Sequence, residues 1–248
     1  MMKNFKLTIQ YDGTEYNGWQ RQKNTSRTIQ QRIEKALKKI LQQRVVLTGS
    51  GRTDTGVHAQ AQVANFKINR NFVPDRLLKA LNSLLPPDIR ITHIQQVAPG
   101  FHSRYDVKEK TYRYTILNQS YNDVFLRRCV YHYSLADLDV KKMQQAARFL
   151  VGRHDFSSFK ITGDSLYSSN IRNIKKLSVS KKDNYIFIDV AGDGFLHKMI
   201  RGIVGTLIEI GRGKLELESL KKILSSKNRK SAGPTAPACG LCLLKVKY

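Results

Sequence analysis

A chain of 248 residues that is 41% hydrophobic, with 11 Tyr and 10 Phe, can bury a core as one large domain or two modest ones. Its 43 Lys and Arg against 19 Asp and Glu leave a net charge of +24. That is far above the roughly 2–8 that solubility asks of a small domain, and it points to a polyanionic partner bound by phosphate neutralisation. No apolar run approaches the roughly 20 residues of a membrane span, and Met1-Met2-Lys3-Asn4-Phe5-Lys6 lacks a signal peptide's apolar region, so a cytosolic location is expected.

Phe5, Leu7, Ile9 and Tyr11 alternate with polar residues, which predicts a half-buried strand. Thr28-Ile29-Gln30-Gln31 reads as a capping box, with Thr28 as N-cap and Gln31 reaching back. Behind it Ile29, Ile33, Ala36, Leu37, Ile40 and Leu41 share one helical face. Strands near Arg44 to Thr48 and Gln60 to Lys67 flank a glycine-rich loop. Pro74 opens a second helix with Leu77, Leu78, Leu81 and Leu84, which Pro86-Pro87 ends.

The second half repeats this kind of order without a residue-level repeat. Thr111 to Leu117 alternates, with Tyr112, Tyr114 and Ile116 on one face and Arg113 on the other. A helix from about Leu138 to Leu150 is followed by Gly152 as its C-cap. Then come strands near Ile171 to Val179 and Tyr185 to Val190, a helix from Gly194 to Ile210, a short helix near Leu215 to Leu224, and a strand from Leu241 to Val246. Strands with helices between them suit α+β packing, helices on one sheet face. The join falls near Pro99 to Asp106, giving expected halves of 1–104 and 105–248. The basic residues are spread along the chain, as on a folded surface rather than a disordered arm.

Two stretches invite a chemical reading. Gly49-Ser50-Gly51-Arg52-Thr53-Asp54-Thr55-Gly56-Val57-His58-Ala59 puts one carboxylate, one arginine and three glycines between two strands. Glycines permit positive φ and close approach of a ligand or another backbone, so Asp54 reads either as a displayed acid or as the cap of its own tight turn. In the helix from Gly194, the residues Phe195, Leu196, Met199, Ile200, Ile203, Val204, Leu207 and Ile208 cover more than half the circumference. Lys198, Arg201, Gly202 and Gly205 share the remaining arc, the glycines being expected to clear space beside the arginine. A mostly buried arginine needs a carboxylate or phosphate partner, whereas an edge helix would leave it a surface cation. On residues alone, Tyr112 and Tyr114 read as core aromatics.

The segment Gly51-Arg52-Thr53-Asp54-Thr55-Gly56-Val57-His58-Ala59 resembles the catalytic motif of the TruA-type tRNA pseudouridine synthases. Further blocks in family order are Tyr11-Asp12-Gly13 with Gly18-Trp19-Gln20-Arg21-Gln22, and Phe101-His102-Ser103-Arg104-Tyr105 with Lys110-Thr111-Tyr112-Arg113-Tyr114. Gly194-Phe195-Leu196-His197-Lys198-Met199-Ile200-Arg201 and Gly233-Pro234-Thr235-Ala236-Pro237-Ala238 complete the set. The resemblance implies two ferredoxin-like halves forming an extended, mainly antiparallel sheet with helices on one face and a basic catalytic cleft. It further implies an isomerase that converts uridine to pseudouridine in the tRNA anticodon arm, at positions 38 to 40, working as a homodimer. It assigns Asp54 as the catalytic carboxylate, Arg201 as its partner, Arg52 to base flipping, and Tyr112, Arg104 and Lys198 to substrate binding. The family carries an aromatic residue where Cys242 stands.

The isomerisation adds no atoms or electrons, so no cofactor is expected. Cys239-Gly240-Leu241-Cys242 has no second cysteine pair and no nearby histidine, so no metal site is expected and the thiols read as reduced and incidental. His58 reads as a structural hydrogen-bonding residue, and Arg21, Lys23 and Arg27 as either phosphate contacts or a solvated loop. A non-catalytic basic RNA-binding or ribosome-assembly protein of the same fold remains an alternative, as does a pseudouridine synthase acting on another RNA. A two-carboxylate glycosidase is disfavoured, because Asp54 has no second acid in its motif.

Overall fold

The computed structural model describes residues 2–161 and 169–248. The chain forms two compact units, one running up to Lys108 and including Leu243–Tyr248, the other Glu109–Cys242.

The first unit follows the order β1 (Lys3–Tyr11), α1 (Ile29–Leu41), β2 (Thr48–Gly49), β3 (His58–Ile68), α2 (Pro74–Leu84) and β4 (Ile89–Val97), the βαββαβ order of a ferredoxin-like unit. Strand β1 lies between β3 and β4, antiparallel to both, and β2 pairs antiparallel with β3. Phe5, Leu7, Ile9 and Tyr11 are core residues, as are Ile29, Ile33 and Leu37 of α1 and Leu77 and Leu81 of α2, and α2 packs on β4 and α1. Strand β4 is invisible to a period-two reading for a physical reason. Its pairing with β1 slips between Thr8 and Ile9, so the buried positions are Ile89, Ile91 and Ile94 and the alternation breaks.

The strand expected over residues 44–48 shrinks to Thr48–Gly49. Val45 and Leu47 are buried as alternation requires, but Leu47 finds side chains instead of a ladder partner. Its N–H donates to Glu34 Oε1 at 2.9 Å and its carbonyl accepts from Gln30 Nε2 at 3.1 Å. The capping box is also half-formed. Thr28 Oγ1 accepts from Gln31 N at 3.4 Å, while Gln31 Oε1 is buried without a hydrogen-bond partner and does not reach back.

The second unit contains β5 (Glu109–Leu117), β6 (Tyr131–His132), α3 (Val140–Arg148), β7 (Gly152–Asp155), β8 (Ile171–Lys182), β9 (Tyr185–Gly192), α4 (Met199–Gly211) and α5 (Ser219–Ser226). Strand β9 is antiparallel to both β5 and β8, β7 flanks β8, and β6 runs parallel to the end of β5. Strands β6 and β7 have two and four residues, too short to show a period. Gly152, at φ +109°, opens β7 rather than capping α3, which ends at Arg148 with Phe149 as its cap. Helix α3 packs on β8 and α4. The chain closes with β10 (Leu241–Lys247), whose first two residues belong to the second unit and the rest to the first. Both units are α+β with mainly antiparallel sheets, as expected. Among the described residues no helix is long and apolar enough to cross a membrane.

The half-formed cap separates two substitutions. Thr28→Ala removes the donor's only acceptor there and should cost about 1 kcal/mol in urea unfolding. Gln31→Ala removes no hydrogen bond from Oε1 and should stay within about 0.5 kcal/mol.

Candidate active site

Each unit holds its own set of the residues singled out by sequence. Arg52, Asp54 and Arg104 belong to the first, Tyr112, Lys198 and Arg201 to the second.

Asp54 sits half-buried in the connection from β2 to β3, between exposed Arg52 and Thr55 on either side of buried Thr53. The base of this loop is tied to β3. Ser50 N donates to Val63 O at 2.7 Å, Ser50 Oγ meets Gln62 Oε1 at 2.6 Å, and Gln62 Nε2 donates to Gly51 O at 3.0 Å. Its crown is tied to residues 11–19. Trp19 N donates to Thr53 O at 3.1 Å, Tyr11 Oη and Thr53 Oγ1 lie 2.8 Å apart, and Gly56 N donates to Tyr16 O at 3.3 Å. Asp54's own carbonyl accepts from Val57 N at 3.2 Å and closes the turn. Thus Thr53, immediately before the carboxylate, is fixed through both its carbonyl and its hydroxyl.

These contacts need bare backbone. A Cβ on Gly18, which has φ +82°, would lie 2.5 Å from Thr53 O, and one on Gly13 would lie 2.0 Å from Val57 O. Gly49 likewise accommodates the fully buried Trp19 indole, 2.5 Å from where a Cβ would sit. Residues 18 and 19 also start α1, since Ile29 N and Gln30 N donate to Gly18 O and Trp19 O at 3.2 and 3.0 Å. They thereby satisfy N–H groups that a helix start leaves open. His58 is buried, its Nδ1 3.1 Å from Gly13 N and its Nε2 without a hydrogen-bond partner among the described residues. Asp12 Oδ1, also 3.1 Å from Nδ1, already accepts two bonds from Thr14.

The arginines near this loop have separate fates. Arg21 N donates to Gln30 Oε1 at 2.9 Å and its guanidinium lies 3.5 Å from the Glu34 carboxylate, while Arg27 reaches Glu15 at 3.1 Å. The Arg27 pair is over half exposed on both sides and contributes little stability. Arg104 is exposed on a turn whose neighbour, Ser103, is fully buried. Ser103 N donates to Asn65 Oδ1 at 3.0 Å, its hydroxyl donates to the Thr48 carbonyl, and its own carbonyl accepts from Tyr248 Oη at 2.8 Å. His102 stacks on Tyr105 at 4.2 Å, and the Arg104 guanidinium lies 5.8 Å from the Tyr105 ring centre. The arginine is therefore presented by a fixed turn joined to β2, the strand that leads into the Asp54 loop. Nothing in the sequence pattern marks Asn65 for this part.

In the second unit Tyr112 is 7% exposed and meets Phe195 edge-on, centroids 5.5 Å apart at 86°. Tyr114 is fully buried and donates to Pro237 O at 2.8 Å, and burial raises the pKa of its hydroxyl. The helix expected from Gly194 starts only at Met199, because Lys198 adopts a left-handed conformation, φ +60°. Lys198 is thus a half-buried N-cap residue and not a neighbour of Arg201 on a helical arc.

Helix α4 is buried nearly all round, but its glycines do not clear space beside the arginine. A Cβ on Gly202 would stand 2.7 Å from Phe159 O, and one on Gly205 would stand 1.7 Å from Pro234 O. They admit two backbone segments, and the second of these grips Arg201. Its Nε donates to Ala236 O at 2.7 Å, and its carbonyl accepts from Ala236 N at 3.0 Å. Arg229 braces the same segment at Gly233 O and Thr235 Oγ1, 2.8 and 2.9 Å away.

The three cysteines are free thiols. Cys239 bonds Val130 O at 3.4 Å, and burial pushes its thiol pKa up, which disfavours the reactive thiolate. Among the described residues no group of three or more His, Cys, Asp and Glu could hold a metal.

The family model described as tRNA pseudouridine synthase matches residues 7–106 and 146–248. This chain belongs to that family. The tRNA pseudouridine synthase A of Acetivibrio thermocellus is 47% identical over 247 residues, covering 100% of both chains. The tRNA pseudouridine synthase A 2 of Clostridium perfringens is 47% identical and the tRNA pseudouridine synthase A of Clostridium acetobutylicum 45%, each again covering 100% of both chains. The matched segments contain Arg52, Asp54, Arg104, Lys198 and Arg201, while Tyr112 falls between them.

Proposed function

We propose that this chain isomerises uridine to pseudouridine in the anticodon arm of tRNA, at positions 38 to 40. Full-length identity of 47% to a tRNA pseudouridine synthase A is the observation that carries this reading, and the geometry of the Asp54 loop supports it. The reaction breaks the C–N1 glycosidic bond and forms a C–C bond from the sugar to C5 of the same base, C5 losing a proton and N1 gaining one. It needs a carboxylate held at the sugar or base, extrusion of the base from its stack, and retention of the detached base. Asp54 is the only carboxylate between Gly49 and Ala59 and takes the first role. Arg52, exposed two residues earlier, assists extrusion. Tyr112 provides a stacking surface, its ring oriented by Phe195. Arg104 and Lys198 engage the RNA, and Arg201, gripped by Ala236, supplies positive charge for the chemistry.

Asp54→Asn should abolish pseudouridine formation, read by carbodiimide mapping of treated tRNA, while tRNA affinity changes by less than about tenfold, since phosphate attraction dominates binding. Turnover near wild type in the pure variant would remove Asp54 from its role, and pseudouridine appearing only outside positions 38–40 would replace the substrate assignment.

The proposal extends to a homodimer, in which one tRNA contacts both chains. Sedimentation should then show a species of twice the 28.4 kDa chain mass, and a fully active monomer would exclude it.

A further inference from the structure

One face of the first unit carries a pocket of about 680 Å³ that the proposed chemistry does not use. It lies between α1 and the end of α2, and its charged lining comprises Arg27, Arg32, Lys35 and Lys39 against Glu15 and Asp88. Both carboxylates are already engaged. Glu15 faces Arg27 at 3.1 Å, and Asp88 Oδ1 accepts from Tyr16 Oη at 2.7 Å. Arg32, Lys35 and Lys39 have no carboxylate at ion-pair distance among the described residues. The lining thus sets four cations against two carboxylates, a positive excess that suits an anionic partner.

Their spacing is regular. At 100° per residue, positions 32, 35 and 39 fall within an arc of about 60°, with buried Ala36 beside them at the pocket wall. At 1.5 Å rise per residue the row is about 10 Å long, long enough for its cations to meet more than one phosphate of a nucleic-acid strand. A single small anion would use one or two of these cations, whereas a row along a helix fits an extended polyanion.

The pocket is also physically continuous with the Asp54 loop. Tyr16 forms part of its wall through the side chain that binds Asp88, and the carbonyl of the same residue accepts the Gly56 N–H of the loop. We infer that this pocket is a second RNA contact, in which Arg32, Lys35 and Lys39 bind backbone phosphates of the tRNA substrate away from the uridine that reacts. The inference rests on the reading that this chain acts on tRNA.

The test is the salt dependence of tRNA binding by the full chain between 50 and 200 mM KCl. The variant Arg32→Gln/Lys35→Gln/Lys39→Gln is compared with wild type and with a charge-matched control, Lys141→Gln/Lys142→Gln/Lys182→Gln, whose lysines are exposed in the other unit. Losing three phosphate contacts should flatten the slope of log Kobs against log salt by about 2–3, at roughly 0.7–0.9 per phosphate. Turnover at saturating tRNA should stay within twofold of wild type. Melting curves matching wild type confirm the fold, since none of the three side chains is buried or paired. A slope equal to wild type, or a change no larger than the control's, overturns the inference. So does an unchanged tRNA slope with an altered sedimentation mass, which would make the row a protein-docking surface. Failure of wild type to form pseudouridine in tRNA it binds would sink the functional reading separately, while the slope comparison would still report on the pocket.

Discussion

Bare backbone holds the segment around Asp54. A Cβ at Gly18 would intrude to 2.5 Å on the Thr53 carbonyl and one at Gly13 to 2.0 Å on that of Val57, so the two chains approach as only glycine allows. The approach brings Trp19 N within 3.1 Å of Thr53 O and frees the carbonyls of Gly18 and Trp19 for the first N–H groups of α1. One helix start, one strand end and the loop bearing the carboxylate are therefore a single hydrogen-bonded assembly. A catalytic group on a loop gains from such bracing, because small misplacements of a reacting group cost large factors in rate.

The second unit solves the same problem with different residues. Gly205 admits Pro234 O, Gly202 admits Phe159 O, and Gly233 N donates to Thr206 Oγ1 at 3.0 Å. The 233–237 segment, pressed on the small side of α4, then holds Arg201 at Nε and Tyr114 at its hydroxyl. A guanidinium whose stem is immobilised loses little freedom when it meets an anion. In both units, glycines that cost intrinsic helix or loop stability are used to seat backbone against backbone beside a charged side chain.

Much of this was legible in the chain. Period-two and period-3.6 patterns located β1, β5, α1 and α2, because each buries one regular face. They failed where another force set the conformation. The bulge at Thr92 broke the alternation of β4, Glu34 and Gln30 replaced a strand partner for Leu47, and the left-handed Lys198 delayed α4. Asp54 and Arg52 stood out through their glycine-rich setting, but the roles of Gly13, Gly18 and Trp19 did not, since they are contacts between segments about 30 to 45 residues apart. The glycines of α4 were read with the right spacing and the wrong neighbour. Helical geometry gives the arc on which a residue lies, and only the tertiary structure says which backbone fills the space.

The central claim is that the 11–19 segment sets the position of the Asp54 carboxylate, the proposed catalytic group. It is tested most directly by single-turnover release of tritium from C5-labelled uridine in bound tRNA, comparing Gly18→Ala with wild type. The variant has a strained φ and a Cβ that displaces Thr53, so at saturating tRNA its rate should fall at least about 10²-fold, with affinity little changed. A rate within a few-fold of wild type, in a variant that folds normally, would show that the close approach of Gly18 to Thr53 does not govern Asp54.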